Sequence, residues 1–317
     1  MSRVASKVTV VVEHIHHLLA RHTTLHAESS PIVPVPPLFV ALQGPQGIGK
    51  TSLTHCLQGE LHSAAQREGR PASFPVDVGL VPSRGPKVAV LSLDDFYLPR
   101  QAMVALASAS RADTGSLGPW DPPKPNKLLN GRGLPGTHDL PLLASVLANL
   151  SRINDPVSPP SLTNPDAPEV QNQTHGTVET PTYNKGAFSG EGDRNAESKT
   201  ISGPIDVVLL EGWCMGFYPV SDSALQRKWN RVSGIAEMTP NSARNVTNGP
   251  SAFEVPEEDL ERAVIKRLGI TVADIAQVNH YLHEYAKKIY PFFTGGFVQV
   301  RERTVLSVYL HAHSASV

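Results

Sequence analysis

The sequence predicts an α/β protein built on parallel strands, and three stretches carry that prediction. Pro37–Leu53, PLFVALQGPQGIGKTSL, runs from an apolar segment through a Gly-rich turn into a helical pattern. Lys87–Leu93, KVAVLSL, is a short apolar run that stops abruptly at Asp94 and Asp95. Ile205–Leu210, IDVVLL, is apolar on both faces, as a central parallel strand must be when helices cover it on each side.

The first stretch is the most informative. Gly44, Gly49, Lys50 and Thr51 fill the template G-x-x-x-x-G-K-[ST], with an apolar strand before it and a helix after it. Glycines at 44, 47 and 49 let the backbone curl so that successive N–H groups converge on phosphate oxygens. The helix opening at Lys50 adds its positive N-terminal end to the same spot. Lys50 is placed to reach the β and γ phosphates of a nucleoside triphosphate, and Thr51 offers a hydroxyl to Mg²⁺. The nucleotide-binding candidates are therefore Gly44, Pro45, Gln46, Gly47, Ile48, Gly49, Lys50, Thr51 and Ser52. The plain alternative is an ordinary Gly-rich strand-to-helix turn.

The totals limit what such a site serves. In 317 residues a net charge of −1 and 18% charged residues argue against a broad nucleic-acid-binding face, which needs a basic excess. The longest apolar runs fall short of a membrane span. Two cysteines, Cys56 and Cys214, make no disulfide framework and point to a reducing compartment.

Elements follow from periodicity. Lys7–Arg21 carries Val8, Val11, Val12, Ile15, Leu18 and Leu19 at helical spacing and is read as a helix packed on the domain. No secretory cleavage pattern follows it, and Glu13 disfavours a mitochondrial presequence. His14, His16 and His17 lack a further ligand at fixed spacing and are read as solvated helix residues. After the Pro-rich link Ser29–Pro37 and a strand at Leu38–Gln43, the helix from Lys50 to about Arg67 is expected to bury Leu53, Cys56, Leu57 and Leu61. Gly69–Pro86 and Arg111–Pro125 read as loops around a helix-compatible Phe96–Ala109. Lys127–His138, KLLNGRGLPGTH, is a turn that leads, with Thr137 as the expected N-cap, into the stripe Leu140, Leu143, Val146, Leu147, Leu150. Ser151–Thr182 and Ser221–Pro256 are weakly patterned inserts. A helix aligned on Leu260, Val264 and Leu268 stops at Gly269. A second starts with the capping-box pair Thr271 and Asp274 and carries Ile275, Val278, Leu282, Tyr285 and Ile289. Gly296–Val300 and Val305–Tyr309 close the pattern as strands.

Two acidic strand tips suit the chemistry of a triphosphate. Ligands of open α/β sheets collect at the carboxyl ends of strands, so Asp94 faces the same crevice as the glycine loop and is a candidate base for a substrate hydroxyl. N-capping is its alternative, and Asp95 has the same use ahead of Phe96. Glu211 ends the apolar strand where a second metal contact belongs, and an unpaired Glu is costly to bury for packing alone. Arg132 in the glycine turn is an anion-binding candidate. Lys185 and Arg194 sit on YNKGAFSGEGDR, a Gly loop able to close over a phosphate, although a mobile surface loop is the default.

The blocks GPQGIGKT, SLDDFYL, LLNGRGLPGTHDL, YNKGAFSGEGDR, DVVLLEGWCMGF and VNHYLHEY resemble the D-glycerate 3-kinase-like P-loop kinases, and most closely their fungal branch of ATP-dependent kinases. They run from about Leu38 to Tyr309. The resemblance implies a three-layer α/β/α P-loop kinase domain over residues 38–317, with residues 1–37 as an N-terminal helix and linker and inserts at about 151–182 and 221–256. It also implies ATP and Mg²⁺, a small-molecule hydroxyl substrate with D-glycerate as the named candidate, Asp94 as base, and Thr51 and Glu211 as metal contacts. Asp95, Tyr97, Arg132, His138, Asp139, Lys185 and Arg194 are the expected substrate-binding residues. No nucleic-acid or membrane partner is expected, and the compartment is expected to be the cytoplasm, with the nucleus as a second. In the family a V-Y pair leads into a helix with a lid arginine and a last strand. Here Ser307-Val308-Tyr309 is followed by LHAHSASV, so the C-terminal lid and last strand are expected to be missing. A homologue that binds ATP without transferring phosphate is the alternative. A regulatory GTPase is disfavoured because Asn126-Lys127 continues as Leu128-Leu129 rather than as a guanine-reading N-K-x-D.

Overall fold

The computed structural model describes residues 3–29, 33–63, 85–109, 126–156, 175–233, 265–267, 269–300 and 305–309. The chain divides into two compact units, Met1–Pro99 with His138–Phe217 and Tyr285–Val317, and Arg100–Thr137 with Tyr218–Glu284.

The first unit is built on strands β1 (Leu38–Gln43), β2 (Val88–Ser92), β7 (Val207–Gly212), β8 (Phe297–Val300) and β9 (Val305–Tyr309). Among the described residues they form one sheet in the order β2-β7-β1-β8-β9. The first four are mutually parallel and β9 runs antiparallel to β8. Every residue of β1 and of β7 is buried, because alternate side chains enter two different cores. Phe39, Ala41, Val208 and Leu210 pack with the apolar stripe of α4 (Leu140–Ser151). Leu38, Val40, Leu42, Val207 and Leu209 pack with α1 (Arg3–Ser29) and α2 (Lys50–Ser63). Helices therefore cover both faces of a mostly parallel sheet, the three-layer α/β/α arrangement expected from the sequence. Leu57 and Leu61 of α2 are 0% exposed, and full burial of such a side chain stabilises by about 1.5–3 kcal/mol.

Several local expectations are corrected. Cys56 is exposed. The buried stripe of α2 is Leu53, Leu57 and Leu61 at four-residue spacing with Thr54 beside it, and residue 56 falls off that face. Phe96 does not start a long helix: a 3₁₀ turn at Leu93–Phe96 precedes α3 (Arg100–Ser108). Asp139, not Thr137, caps α4, its carboxylate accepting from the Leu142 N–H at 3.1 Å. Thr137 is buried and its hydroxyl donates to the Leu134 carbonyl. The ends of the two expected inserts are structured. Thr177–Thr180 (β3) pairs antiparallel with Lys199–Ser202 (β6), and Asp222–Ser233 is helix α5. Tyr183–Asn184 (β4) and Asp193–Arg194 (β5) form a hairpin where a mobile loop was the default. The loops at 69–84 and 111–125, the insert centres at 157–174 and 234–256, the end of the P-loop helix beyond 63, and Leu260, Val264, Leu268 and everything after Tyr309 lie outside the described residues.

In the second unit, Asn126 is buried and its amide is fully used. Its Nδ2 donates to the Asp274 carbonyl at 3.0 Å and to Gln277 Oε1 at 2.8 Å, and its Oδ1 accepts from the Leu128 N–H. The start of α6 (Val272–Lys288) carries the expected capping box, with the Asp274 carboxylate accepting from both the N–H and the hydroxyl of Thr271. Asn279 exchanges two hydrogen bonds with the Val220 backbone.

Candidate active site

The parallel register sets the site. Glu211, next to last in β7, lies level with Ser92 at the end of β2 and with Leu42 near the end of β1. The glycine loop leaves β1 at that height and re-enters structure at α2. Gly47 and Gly49 hold φ of 77° and 85°, a region in which a Cβ would be strained. Lys50 Nζ bends over the loop and donates to the Pro45 carbonyl at 2.9 Å.

Glu211 is only 5% exposed. One of its carboxylate oxygens accepts from the Thr51 hydroxyl at 3.3 Å and from the Ser92 hydroxyl at 2.8 Å. Among the described residues it makes no ion pair, so a buried negative charge is held by hydroxyls alone. Oxygen donors around an uncompensated carboxylate fit Mg²⁺, which takes one or two protein ligands and fills its octahedron from water and phosphate oxygens. The same reasoning accounts for the lack, among the described residues, of any cluster of three His, Cys, Asp or Glu side chains suited to a metal. Ser92 was not singled out from the sequence. Its one signal there is a hydroxyl placed just ahead of the acidic strand tip.

Directly after β2, buried Leu93 and Phe96 anchor the 3₁₀ turn and leave Asp94 and Asp95 between them. Neither caps a helix here. Asp94 Oδ2 accepts from Lys185 Nζ at 2.5 Å. The Asp95 carboxyl is raised above the usual range by burial, an effect opposed by a hydrogen bond from the Tyr183 backbone and by the Lys185 charge. Asp94 and Glu211 also act on Asp95, and Asp94 and Lys50 both act on the Cys214 thiol. The two acidic tips, the P-loop lysine and the hairpin lysine therefore share one electrostatic neighbourhood. Cys214 is fully buried and its thiol is pushed up to about 12, which leaves it an inert packing group.

Four of the expected substrate residues, Tyr97, His138, Asp139 and Arg194, are engaged in structure. Tyr97 is 2% exposed and stacks on His138 at 4.4 Å, with Tyr183 edge-on at 5.4 Å. His138 is buried, with Nδ1 2.6 Å from Tyr285 Oη and Nε2 lacking a hydrogen-bond partner; burial pushes its imidazole down to about 3. Arg194 Nη2 donates to the Tyr97 carbonyl at 2.9 Å and to Asp139 Oδ2 at 3.0 Å. That guanidinium ties the Asp94 turn, the start of α4 and the hairpin together. Lys185, Asp94 and Asp95 remain at the accessible side of this cluster. Arg132 belongs to the second unit and is half-buried.

No protein-family model matches the sequence. The chain is 33% identical over 184 residues to "Probable ATP-dependent kinase TDA10" of Saccharomyces cerevisiae, an alignment covering 58% of this chain and 48% of that protein. It is 31% identical over 189 residues to "D-glycerate 3-kinase, chloroplastic" of Arabidopsis thaliana, covering 59% of this chain and 30% of that protein. The chain thus spans less than half the length of these two relatives. Among solved structures, D-glycerate 3-kinase from Cryptococcus neoformans superposes with a TM-score of 0.60 at 29% identity, covering 93% of this chain and 72% of that one.

Proposed function

We propose that this chain, which is similar to glycerate kinase-like P-loop kinases, transfers the γ-phosphate of ATP to an alcohol group of a small metabolite, with D-glycerate the first candidate acceptor. The observation that supports this most is the meeting of Thr51, Ser92 and Glu211 at the strand ends, with Asp94 two residues beyond Ser92.

The roles follow from position. The loop amides and the Lys50 ammonium hold the phosphates. Thr51 and Glu211 would hold Mg²⁺, which when bound neutralises charge on the β- and γ-oxygens. Asp94 accepts the proton of the acceptor hydroxyl as its oxygen attacks the γ-phosphorus. Asp95, kept less acidic by burial, and the Arg194 clamp hold the Asp94 turn against the hairpin. No helix among the described residues is long and apolar enough to cross a membrane, and we place the reaction in the cytoplasm, with the nucleus as a second compartment.

The test is a coupled ADP-release assay with Mg·ATP over small hydroxy acids, sugars and nucleosides. Acceptor-dependent ADP release with one chemical class, D-glycerate first, is expected. An enzyme that binds ATP and releases no more ADP with any acceptor than without one sinks the proposal.

A further inference from the structure

The Asp94 carboxylate is already occupied by a cation of this chain. Lys185 Nζ sits on Asp94 Oδ2 at 2.5 Å, and both side chains keep solvent access, 54% and 31%. The lysine rides on a hairpin whose two ends are fixed. At one end the Tyr183 backbone bonds Asp95 and the Tyr183 ring packs on Tyr97; at the other, Arg194 bonds the Tyr97 carbonyl and Asp139. Between these anchors lies a tight tip in which the Gly190 and Gly192 N–H groups donate to the Ala187 carbonyl at 3.1 and 2.9 Å. It carries Gly186, Gly190 and Gly192, the latter two at positive φ, and Phe188 and Ser189 held at φ of 51° and 57°, with Phe188 56% exposed. Non-glycine residues in that region store strain that a change of loop conformation releases.

Resting on the kinase reading above, we propose that Lys185 is a latch on the base: it covers Asp94 while no acceptor is bound and so keeps water from using the bound ATP. In the reaction that it blocks, a water oxygen bonds to the γ-phosphorus as the bond to the β–γ bridging oxygen breaks. ADP leaves, and the proton of the water passes to Asp94. An ammonium seated on the carboxylate competes for the lone pair which that proton needs. The latch yields to a proper acceptor because a partly exposed ion pair is screened and weak, whereas an acceptor held in the site presents its hydroxyl at high effective concentration. A water molecule has no such hold.

The experiment uses the full chain with Mg·ATP and no acceptor. Lys185→Met is expected to raise acceptor-independent ADP release roughly two- to fivefold, the range that loss of a weak, screened ion pair allows, with ATP affinity by calorimetry unchanged, and Lys185→Arg to raise it less. Amide hydrogen exchange without nucleotide gives a second readout: in Asp94→Asn, residues 185–192 should exchange faster while α4 is unaffected. A Lys185→Met variant that binds ATP and hydrolyses it no faster than wild type overturns the latch, as does unchanged exchange in the hairpin of Asp94→Asn. Wild-type protein that binds no ATP sinks the kinase reading itself, a result that calorimetry separates from failure of the latch.

Discussion

Ser92 Oγ donates to Glu211 Oε1 across 2.8 Å, joining residues 119 positions apart that the β2–β7 register sets side by side. Hydrogen bonds to a metal-binding carboxylate orient it, and their loss typically weakens metal affinity 10- to 100-fold. Ser92→Ala is therefore expected to raise the Mg²⁺ concentration needed for half-maximal ATP binding by roughly tenfold or more. A magnesium titration followed by calorimetry measures this, and an unshifted curve would show that the Ser92 hydrogen bond does not set metal affinity.

Asp94→Asn keeps the size of the side chain and removes its ability to take a proton. General-base catalysis contributes roughly 10²- to 10⁴-fold, so acceptor-dependent turnover should fall by that range with the ATP dissociation constant unchanged. Turnover equal to wild type would take Asp94 out of the reaction.

Burial pushes His138 down to about 3 from 6.5 in the folded chain, so between those values the unfolded chain binds the extra proton. The contribution of this group to stability is complete above 6.5 and is lost as pH falls toward 3, by roughly 1.4 kcal/mol per pH unit. His14 and His16 on α1, lowered chiefly by burial, act in the same direction. Denaturant titrations at pH 7 and pH 5 should show wild type losing more stability than His138→Asn, by about 2 kcal/mol. Equal losses would mean that the imidazole is charged, or exposed, in the folded protein.

Gly212 follows Glu211 where the chain leaves β7. A Cβ there would lie 2.9 Å from Leu93 Cβ and Cδ2 and from Met215 Cγ, inside contact distance on a packed core. Gly212→Ala should cost about 1–3 kcal/mol and, by pushing on Leu93, disturb the turn that carries Asp94. Urea unfolding checks the first effect; stability equal to wild type would show that the core gives way freely at this point.

What the sequence disclosed was local. Leu38–Gln43, the glycine loop and Val207–Gly212 were legible because each combines an apolar run with a terminating signal inside a few residues, and Glu211 came with them. The hairpin partnership of Tyr183 with Arg194 and the pairing of β3 with β6 were not, since strands of two to four residues leave no periodicity. Ser92 was missed for a different reason: its role comes from register with a strand more than a hundred residues later. Cys56 was misassigned because a stripe at four-residue spacing and one at three-residue spacing look alike until the helix is set on its sheet. The caps show a related limit, for Thr137 and Asp139 are equally good N-cap types. The start of α4 is decided by the Asp139 N–H bonding the Phe96 carbonyl, a contact that no local pattern records.

The Lys50 ammonium, resting on the Pro45 carbonyl, bears on how fast a nucleotide is caught. A lysine stem free in solvent holds about 2 kcal/mol of rotamer entropy, and this hydrogen bond restrains part of it before any ligand arrives. An incoming triphosphate only has to trade one oxygen for another at the end of an arm that is already folded inward. On the proposed function, capture of the nucleotide should be quick and the slower events should fall on the acceptor side.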